Sequence, residues 1–335
     1  MLNLGVIGTG WITDSFVQGA LATGRYRVYA VYSRTREAAE QFGKKYDAQV
    51  YATDLDAFFG LEDMDAVYIA SPNSYHYAQA QKAIAAKKHV IVEKSAFSNI
   101  RETEHILSLA RENGVFVLEA ARHIHERNFF VLKEQLKRIG EIRGASLTYM
   151  KYSPRYELVR KGEHTNIFSL EYSAGTLYDL GVYPVYTAVA LFGKPVSCHY
   201  FCTKVRTGAD GIGVIVFRYD GFDVVMQTGK IADSFLPSEI CGSEGNILLS
   251  SMNDIASIKV YNRAEKATVE VAEEKESHWM LGEANAFAEL ICNPDAPESR
   301  KRYAELAGIM RDVHAVMTEL RRQADIVFPA DKMGF

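Results

Sequence analysis

A short apolar run, Asn3 to Ile7, is followed at once by Gly8-Thr9-Gly10 and then by a segment of helical spacing. Similar β-branched runs recur at Val28–Tyr32, Ala66–Ala70, His89–Val92 and Val115–Leu118, each separated from the next by a longer amphipathic stretch. That alternation predicts strands that cross over through helices into a doubly wound parallel sheet. In "TREAAEQFGKKY", Ala38, Ala39, Phe42 and Tyr46 fall at helical spacing, with Gly43 near the end. "NIRETEHILSLARENG" ends in an Asn113-Gly114 stop.

The grammar changes near residue 126. A helix is expected over Arg127–Arg138, after which "IRGASLTYMKY", "CHYFCTKVRT", "GIGVIVFRYD" and "FDVVMQTGKIAD" read as strands joined by turns. The expectation is an α/β chain of two domains. Residues 1–125 form a dinucleotide-binding, Rossmann-type domain. Residues 126–335 form an α+β domain with a large, mostly antiparallel open sheet for substrate binding and oligomerisation. Helices are expected at Ala174–Phe192, Ser277–Ile291 and Arg300–Arg322.

A glycine pair between a first strand and a first helix suits a pyrophosphate. Glycines allow the tight turn and close approach, and free helix N–H groups with the helix dipole hold the anion. Gly8, Thr9, Gly10, Trp11 and Ile12 are therefore candidate cofactor contacts, although Thr13 stands where the motif usually has glycine or alanine. The second strand ends in Ser33 and Arg34, where an NAD-specific chain would carry an acid for the ribose 2′-hydroxyl. Ser33 and Arg34, with Arg36 as an auxiliary, offer donors to a 2′-phosphate, so NADP is expected rather than NAD.

The fifth strand-like run, "VIVEKS", stops in two opposite charges, Glu93 and Lys94. In an open parallel sheet ligands collect at the carboxyl ends of strands, so both should look into the cofactor crevice. Lys94 is expected to hold ribose and substrate oxygens, and Glu93 to supply a counter-charge or a ribose contact. In "GTLYDLGVYP", Asp179 and Tyr183 are four apart on a helix and project from one face, while Pro184 removes a backbone bond and bends it. Such a segment suits the wall of a site.

"VIGTGWIT", "ASPNSYHYAQAQKAIAAKKHVIVEKS" and "SAGTLYDLGVYPVYTAVALFG" together resemble the Gfo/Idh/MocA oxidoreductases, and the resemblance spans essentially the whole chain. It implies that Ser71, Pro72, Asn73 and His76 form the loop near the nicotinamide half of the cofactor. It also implies that Lys94, Asp179 and Tyr183 handle the substrate hydroxyl. The family's Glu-Lys-Pro appears as Glu93-Lys94-Ser95, which should leave Lys94 less rigidly aimed. A tyrosine at 183, where the family usually has histidine, resembles the dihydrodiol and xylose dehydrogenase branch. Tyr183 is then the acid/base, Lys94 stabilises its phenolate, and Asp179 orients substrate or Lys94 with a charge that opposes phenolate formation. Arg122 is a candidate substrate or cofactor contact.

The implied activity is hydride transfer between NADP(H) and a CH–OH or C=O group of a sugar, polyol or diol. The rival is a regulatory protein that binds NADP without turnover. A net charge of −4 with no basic stripe argues against nucleic acid as a partner. No apolar run approaches the ~20 residues of a membrane span, and no secretory signal pattern opens the sequence, so cytoplasm is the expected location. Cys198 and Cys202 share a strand face, but the four cysteines are expected to be reduced and no metal is expected. Apolar residues on both faces of "GVIVFRYD" and "DVVMQTGK" predict a homo-oligomer, a dimer joined through sheets.

Overall fold

The computed structural model describes residues 1–332. Among them the chain divides into two compact units, Met1–Arg122 with Ser277–Arg311, and His123–Glu276 with the chain from Asp312 onward.

The first unit is built on six parallel strands: β1 (Leu2–Ile7), β2 (Tyr26–Tyr32), β3 (Val50–Ala52), β4 (Ala66–Ile69), β5 (His89–Glu93) and β6 (Val117–Ala120). Their order is β3-β2-β1-β4-β5-β6, the doubly wound arrangement whose crevice opens at the strands' carboxyl ends. Every residue of β4 and β6 is buried, as expected of strands covered on both faces by crossover helices. The crossovers run through α1 (Trp11–Ala22), α2 (Arg36–Lys44), α3 (Leu55–Phe59), α4 (Asn73–Ala85) and α5 (Ile100–Asn113). Local chemistry fixes their ends. Thr35 accepts from the Ala38 N–H at the start of α2, and Asn99 accepts from the Glu102 N–H at the start of α5. Gly114 terminates α5 in the left-handed region at φ 69°, so the Asn-Gly stop works as its sequence implies.

A single cut at residue 125 does not describe the packing. Helix α9 (Leu281–Cys292) and the first half of α10 (Pro297–Gln323) belong to the first unit. Three contacts explain why. The Tyr26 hydroxyl donates to Ala284 O at 2.8 Å, and Tyr303 stacks on Phe116 at 4.2 Å. Gly19 lets the chain at Met280 approach α1 so closely that a Cβ there would sit 3.0 Å from Met280 Cβ. None of these pairings is visible as a local pattern.

The second unit carries β7 (Ile142–Met150), β8 (Ser197–Lys204), β9 (Asp210–Arg218), β10 (Asp223–Gly229), β11 (Ser238–Gly242), β12 (Gly245–Leu249), β13 (Ile258–Asn262) and β14 (Ala267–Glu270). They form one sheet of order β14-β13-β12-β11-β7-β10-β9-β8, antiparallel except for the β7–β10 pair. The unit's helices include α6 (Arg127–Gln135), α7 (Arg155–Lys161) and α8 (Val182–Phe192). One sheet face buries Leu147, Ile215, Phe217, Val224 and Met226. On the other face, Phe201 is 68% exposed, Val214 37% and Val225 38%.

The segment expected to be one bent helix begins instead with a π turn at Leu177–Gly181 that runs into α8. Pro184 has no N–H to return to the carbonyl four residues back, so the widened turn sits where the ordinary ladder is interrupted. Gly181 packs closely against its surroundings: a Cβ there would lie 3.3 Å from Leu177 Cδ1 and 3.4 Å from the Thr228 side chain of β10.

Candidate active site

In the first unit the candidate residues gather on the loops that follow β1, β2, β4, β5 and β6. Gly8 has φ +102°, and a side chain would also meet Ala70 O at 2.9 Å, so only glycine fits. Gly10 is the N-cap of α1 and makes no side-chain cap, and nothing lies within 4 Å of its Cβ position. The first turn of α1 therefore presents uncapped backbone donors beside open space, which fits a dinucleotide pyrophosphate. Thr9, Trp11 and Ile12 flank it, and Trp11 is exposed. Thr13 is fully buried and is accommodated close to Gly8, with its hydroxyl 3.4 Å from the glycine's Cβ position.

At the end of β2, Ser33 is partly exposed and Arg34 is exposed. Arg36 is held elsewhere, with Nε on Glu40 at 2.7 Å and Nη1 on Tyr51 O at 2.6 Å. That narrows the candidates for a 2′-phosphate to Ser33 and Arg34.

After β4, Ser71, Pro72 and Asn73 are partly exposed, and Pro72 is the N-cap of α4. The Ser71 hydroxyl donates to Gln79 at 2.7 Å. His76 does not have the place expected of it. It is 0% exposed, with Nε2 2.7 Å from Ser71 O and Nδ1 3.0 Å from Ala96 O. Burial holds its pKa below the ordinary value despite both carbonyls, so the ring is neutral at pH 7 and donates to one of them. Both ring nitrogens are thus occupied by backbone carbonyls. The ring ties the loop after β4 to the loop after β5.

Glu93 is buried rather than part of a surface ion pair. Burial pushes its pKa up, against the charges of Lys94 and Arg122 and a hydrogen bond donated by the Tyr68 hydroxyl. Tyr68 is itself fixed by a stack on Phe16 at 3.9 Å. Lys94, the next residue, is partly exposed at the carboxyl end of β5. The Lys94–Ser95 peptide is cis although no proline follows, and Glu119 accepts from the Ala96 N–H at 2.9 Å. The turn behind the lysine is anchored by Glu119 and His76, both through the backbone of Ala96. Arg122 is nearly buried, with its guanidinium 4.3 Å from the centre of the Trp279 ring, and Trp279 in turn stacks on Trp11 at 6.2 Å.

In the second unit Asp179 lies in the π turn and Tyr183 in the first turn of α8, both partly exposed. The Tyr183 ring packs on His123 at 4.9 Å and on Tyr149 at 5.2 Å, and its carbonyl is 3.1 Å from His123 Nε2. Asp179 is not an isolated negative charge, because Lys230 Nζ lies 2.7 Å from its Oδ2. Behind them Asp210 accepts from the Leu177 N–H and the Tyr200 hydroxyl, each at 2.6 Å, which pins the start of the π turn to β9. Lys230, Asp210, Trp279 and His123 were not found from sequence. The available signal was "MQTGK", an apolar strand ending in a lysine like "VIVEK". Among the described residues no cluster of three or more His, Cys, Asp or Glu is placed to hold a metal.

A parallel sheet with a glycine loop at β1 and a strand-end lysine at β5, followed by a mostly antiparallel eight-stranded sheet, defines a two-unit oxidoreductase architecture. Residues 2–120 match the oxidoreductase family with an NAD-binding Rossmann fold, and residues 133–248 match the GFO/IDH/MocA C-terminal domain. The chain belongs to the Gfo/Idh/MocA oxidoreductases. It is 36% identical over 333 residues to the uncharacterized oxidoreductase YgjR of Escherichia coli, covering 99% of each chain. It is also 36% identical over 333 residues to scyllo-inositol 2-dehydrogenase (NADP(+)) IolU of Bacillus subtilis, covering 99% of this chain and 100% of the other. Trans-1,2-dihydrobenzene-1,2-diol dehydrogenase of Danio rerio is 24% identical over 264 residues, 73% of each chain. Among solved structures, KijD10, a 3-ketoreductase of Actinomadura kijaniata, superposes with a TM-score of 0.81 at 19% identity, over 96% of this chain and 97% of that one. That likeness establishes the fold. No helix among the described residues is long and apolar enough to cross a membrane.

Proposed function

We propose that this oxidoreductase transfers a hydride between NADP(H) and a CH–OH or C=O carbon of a polyol, sugar or diol, with cyclic polyols the first class to try. The observation that carries the cofactor choice is the carboxyl end of β2, where no acid stands and the exposed Arg34 has no hydrogen-bonding or ionic partner among the described residues. The substrate class rests on the end-to-end similarity to an enzyme named for scyllo-inositol and NADP.

When bound, the nicotinamide supplies or accepts the hydride. The chain's part is binding and proton handling. Gly8 to Ile12 would hold the pyrophosphate on the start of α1, Ser33 and Arg34 the 2′-phosphate, and Ser71 to Asn73 the nicotinamide side. Tyr183 takes or returns the hydroxyl proton, Lys94 stabilises its phenolate, and Asp179 orients the substrate. The four thiols are all free, as a cytoplasmic location would keep them.

The test is to mix the protein with NADP⁺ or NAD⁺ and scyllo-inositol, myo-inositol, aldoses and trans-diols while following reduced-cofactor absorbance. Turnover with NADP⁺ on at least one polyol or sugar is expected. Tight NADP binding with no turnover on any of them would favour the regulatory reading, and equal or better use of NAD⁺ would remove the role given to Arg34.

The same reading makes the chain a homodimer through the outer face of the second sheet. Phe201, Val214 and Val225 share that face and stay exposed, an apolar patch that association would cover. Sedimentation at micromolar concentration should give twice the chain mass, and a monomer would refute it.

A further inference from the structure

Lys230 directly follows β10 and is 1% exposed. A lysine that deep is costly unless its charge is matched and its N–H donors are used. Here the ammonium lies 2.7 Å from Asp179 Oδ2, donates to Ile167 O at 2.8 Å, and sits 4.5 Å from the centre of the Phe168 ring. Asp179 itself remains 33% exposed, so the pair has a buried cationic end and an anionic end that reaches solvent. The scaffold beneath is equally constrained. Lys230 N–H donates to Gly211 O at 2.8 Å, the Thr176 hydroxyl donates to the same carbonyl at 2.7 Å, and Asp210 holds the Leu177 N–H.

We propose that Lys230 is a positioning residue for the dehydrogenase reaction, fixing the Asp179 carboxylate in one orientation toward the substrate hydroxyl. The inference rests on the reading of Asp179 as a substrate-orienting group. Lys230 is too deeply buried to touch substrate, so its effect on the reaction passes through Asp179. A carboxylate has acceptor sites on two oxygens. With Oδ2 held by the ammonium, the side chain cannot swing freely, and its exposed edge is presented to a hydroxyl donor. The pair as a whole is neutral, which suits an uncharged polyol better than an anionic sugar acid.

The experiment is a kinetic cycle of Lys230→Met, Asp179→Asn and the double variant, on whichever polyol or sugar the wild-type chain oxidises, together with NADPH titration of each protein. Lys230→Met keeps most of the stem and removes the charge. Each single variant is expected to lose roughly 10- to 100-fold in kcat/KM, the range for a charge-assisted hydrogen bond. The double variant is expected to match Asp179→Asn within about threefold, because Lys230 has nothing left to orient. NADPH affinity should stay within about twofold throughout, which a general loss of folding would not allow.

If Lys230→Met does not fold, the double variant replaces charge and counter-charge together, and its comparison with Asp179→Asn still decides. A further loss in the double variant beyond about tenfold, or a Lys230→Met enzyme with wild-type kcat/KM, overturns the proposal. Absence of wild-type turnover on every substrate overturns the dehydrogenase reading, and this inference falls with it.

Discussion

Replacing Lys94 by methionine is expected to lower kcat/KM by roughly 10²- to 10⁴-fold, the range for losing a positioned proton-transfer group. The loss should appear in kcat, because an ammonium that stabilises a developing phenolate or alkoxide acts chiefly in the transition state. The fold should survive. Lys94 is partly exposed, whereas the neighbours that fix the loop, Glu93, Ser95, Ala96 and His76, are buried and unchanged. Initial-rate kinetics on the best polyol, with circular dichroism and an NADPH titration as controls, would check it. A Lys94→Met enzyme within tenfold of wild type would show that the strand-end lysine is not part of the chemistry.

The second large effect is a change of cofactor preference on replacing Arg34 by aspartate. Losing the guanidinium should weaken NADPH binding by roughly 10- to 150-fold, the worth of a hydrogen bond to a charged group. The new carboxylate adds repulsion toward the 2′-phosphate and an acceptor for the 2′-hydroxyl of NADH. The two dissociation constants, measured by quenching of the chain's two tryptophans, should therefore move in opposite directions. Arg36→Asp should leave the preference nearly unchanged, since Arg36 is committed to Glu40 and the Tyr51 carbonyl. Equal NADPH binding by wild type and Arg34→Asp would remove the assignment.

How far the sequence carries depends on how local the relevant physics is. The parallel strands were readable because burial on both faces writes a continuous apolar run, and the carboxyl end of α5 because Gly114 does its work within a few residues. The short edge strand β3 was not found, since Val50–Ala52 is only partly buried and too brief to show a period. Strands β11 to β14 were also missed. They are only four or five residues long, and burial fades to full exposure in β14.

At the candidate site, the residues named from sequence are those tied to a local motif, and residues defined by a distant partner were not named. Lys230 looks like any lysine after a strand until its bond to Asp179 is seen, and His76 looks like a loop histidine until Ala96 O is seen against its ring. Residues that bind through backbone geometry, such as Gly8, can be read from a single string. Residues whose ionisation depends on burial, such as Glu93, need the fold.

The nucleotide-binding unit is discontinuous, and this constrains how the molecule is made. Tyr26 waits for the carbonyl of Ala284, and Phe116 for the ring of Tyr303. On the ribosome, the amino-terminal sheet emerges early yet lacks part of its cladding until α9 and the first half of α10 have been synthesised. Its completion waits for α9 and α10, so a chain stalled before α9 presents an unfinished surface to chaperones and proteases.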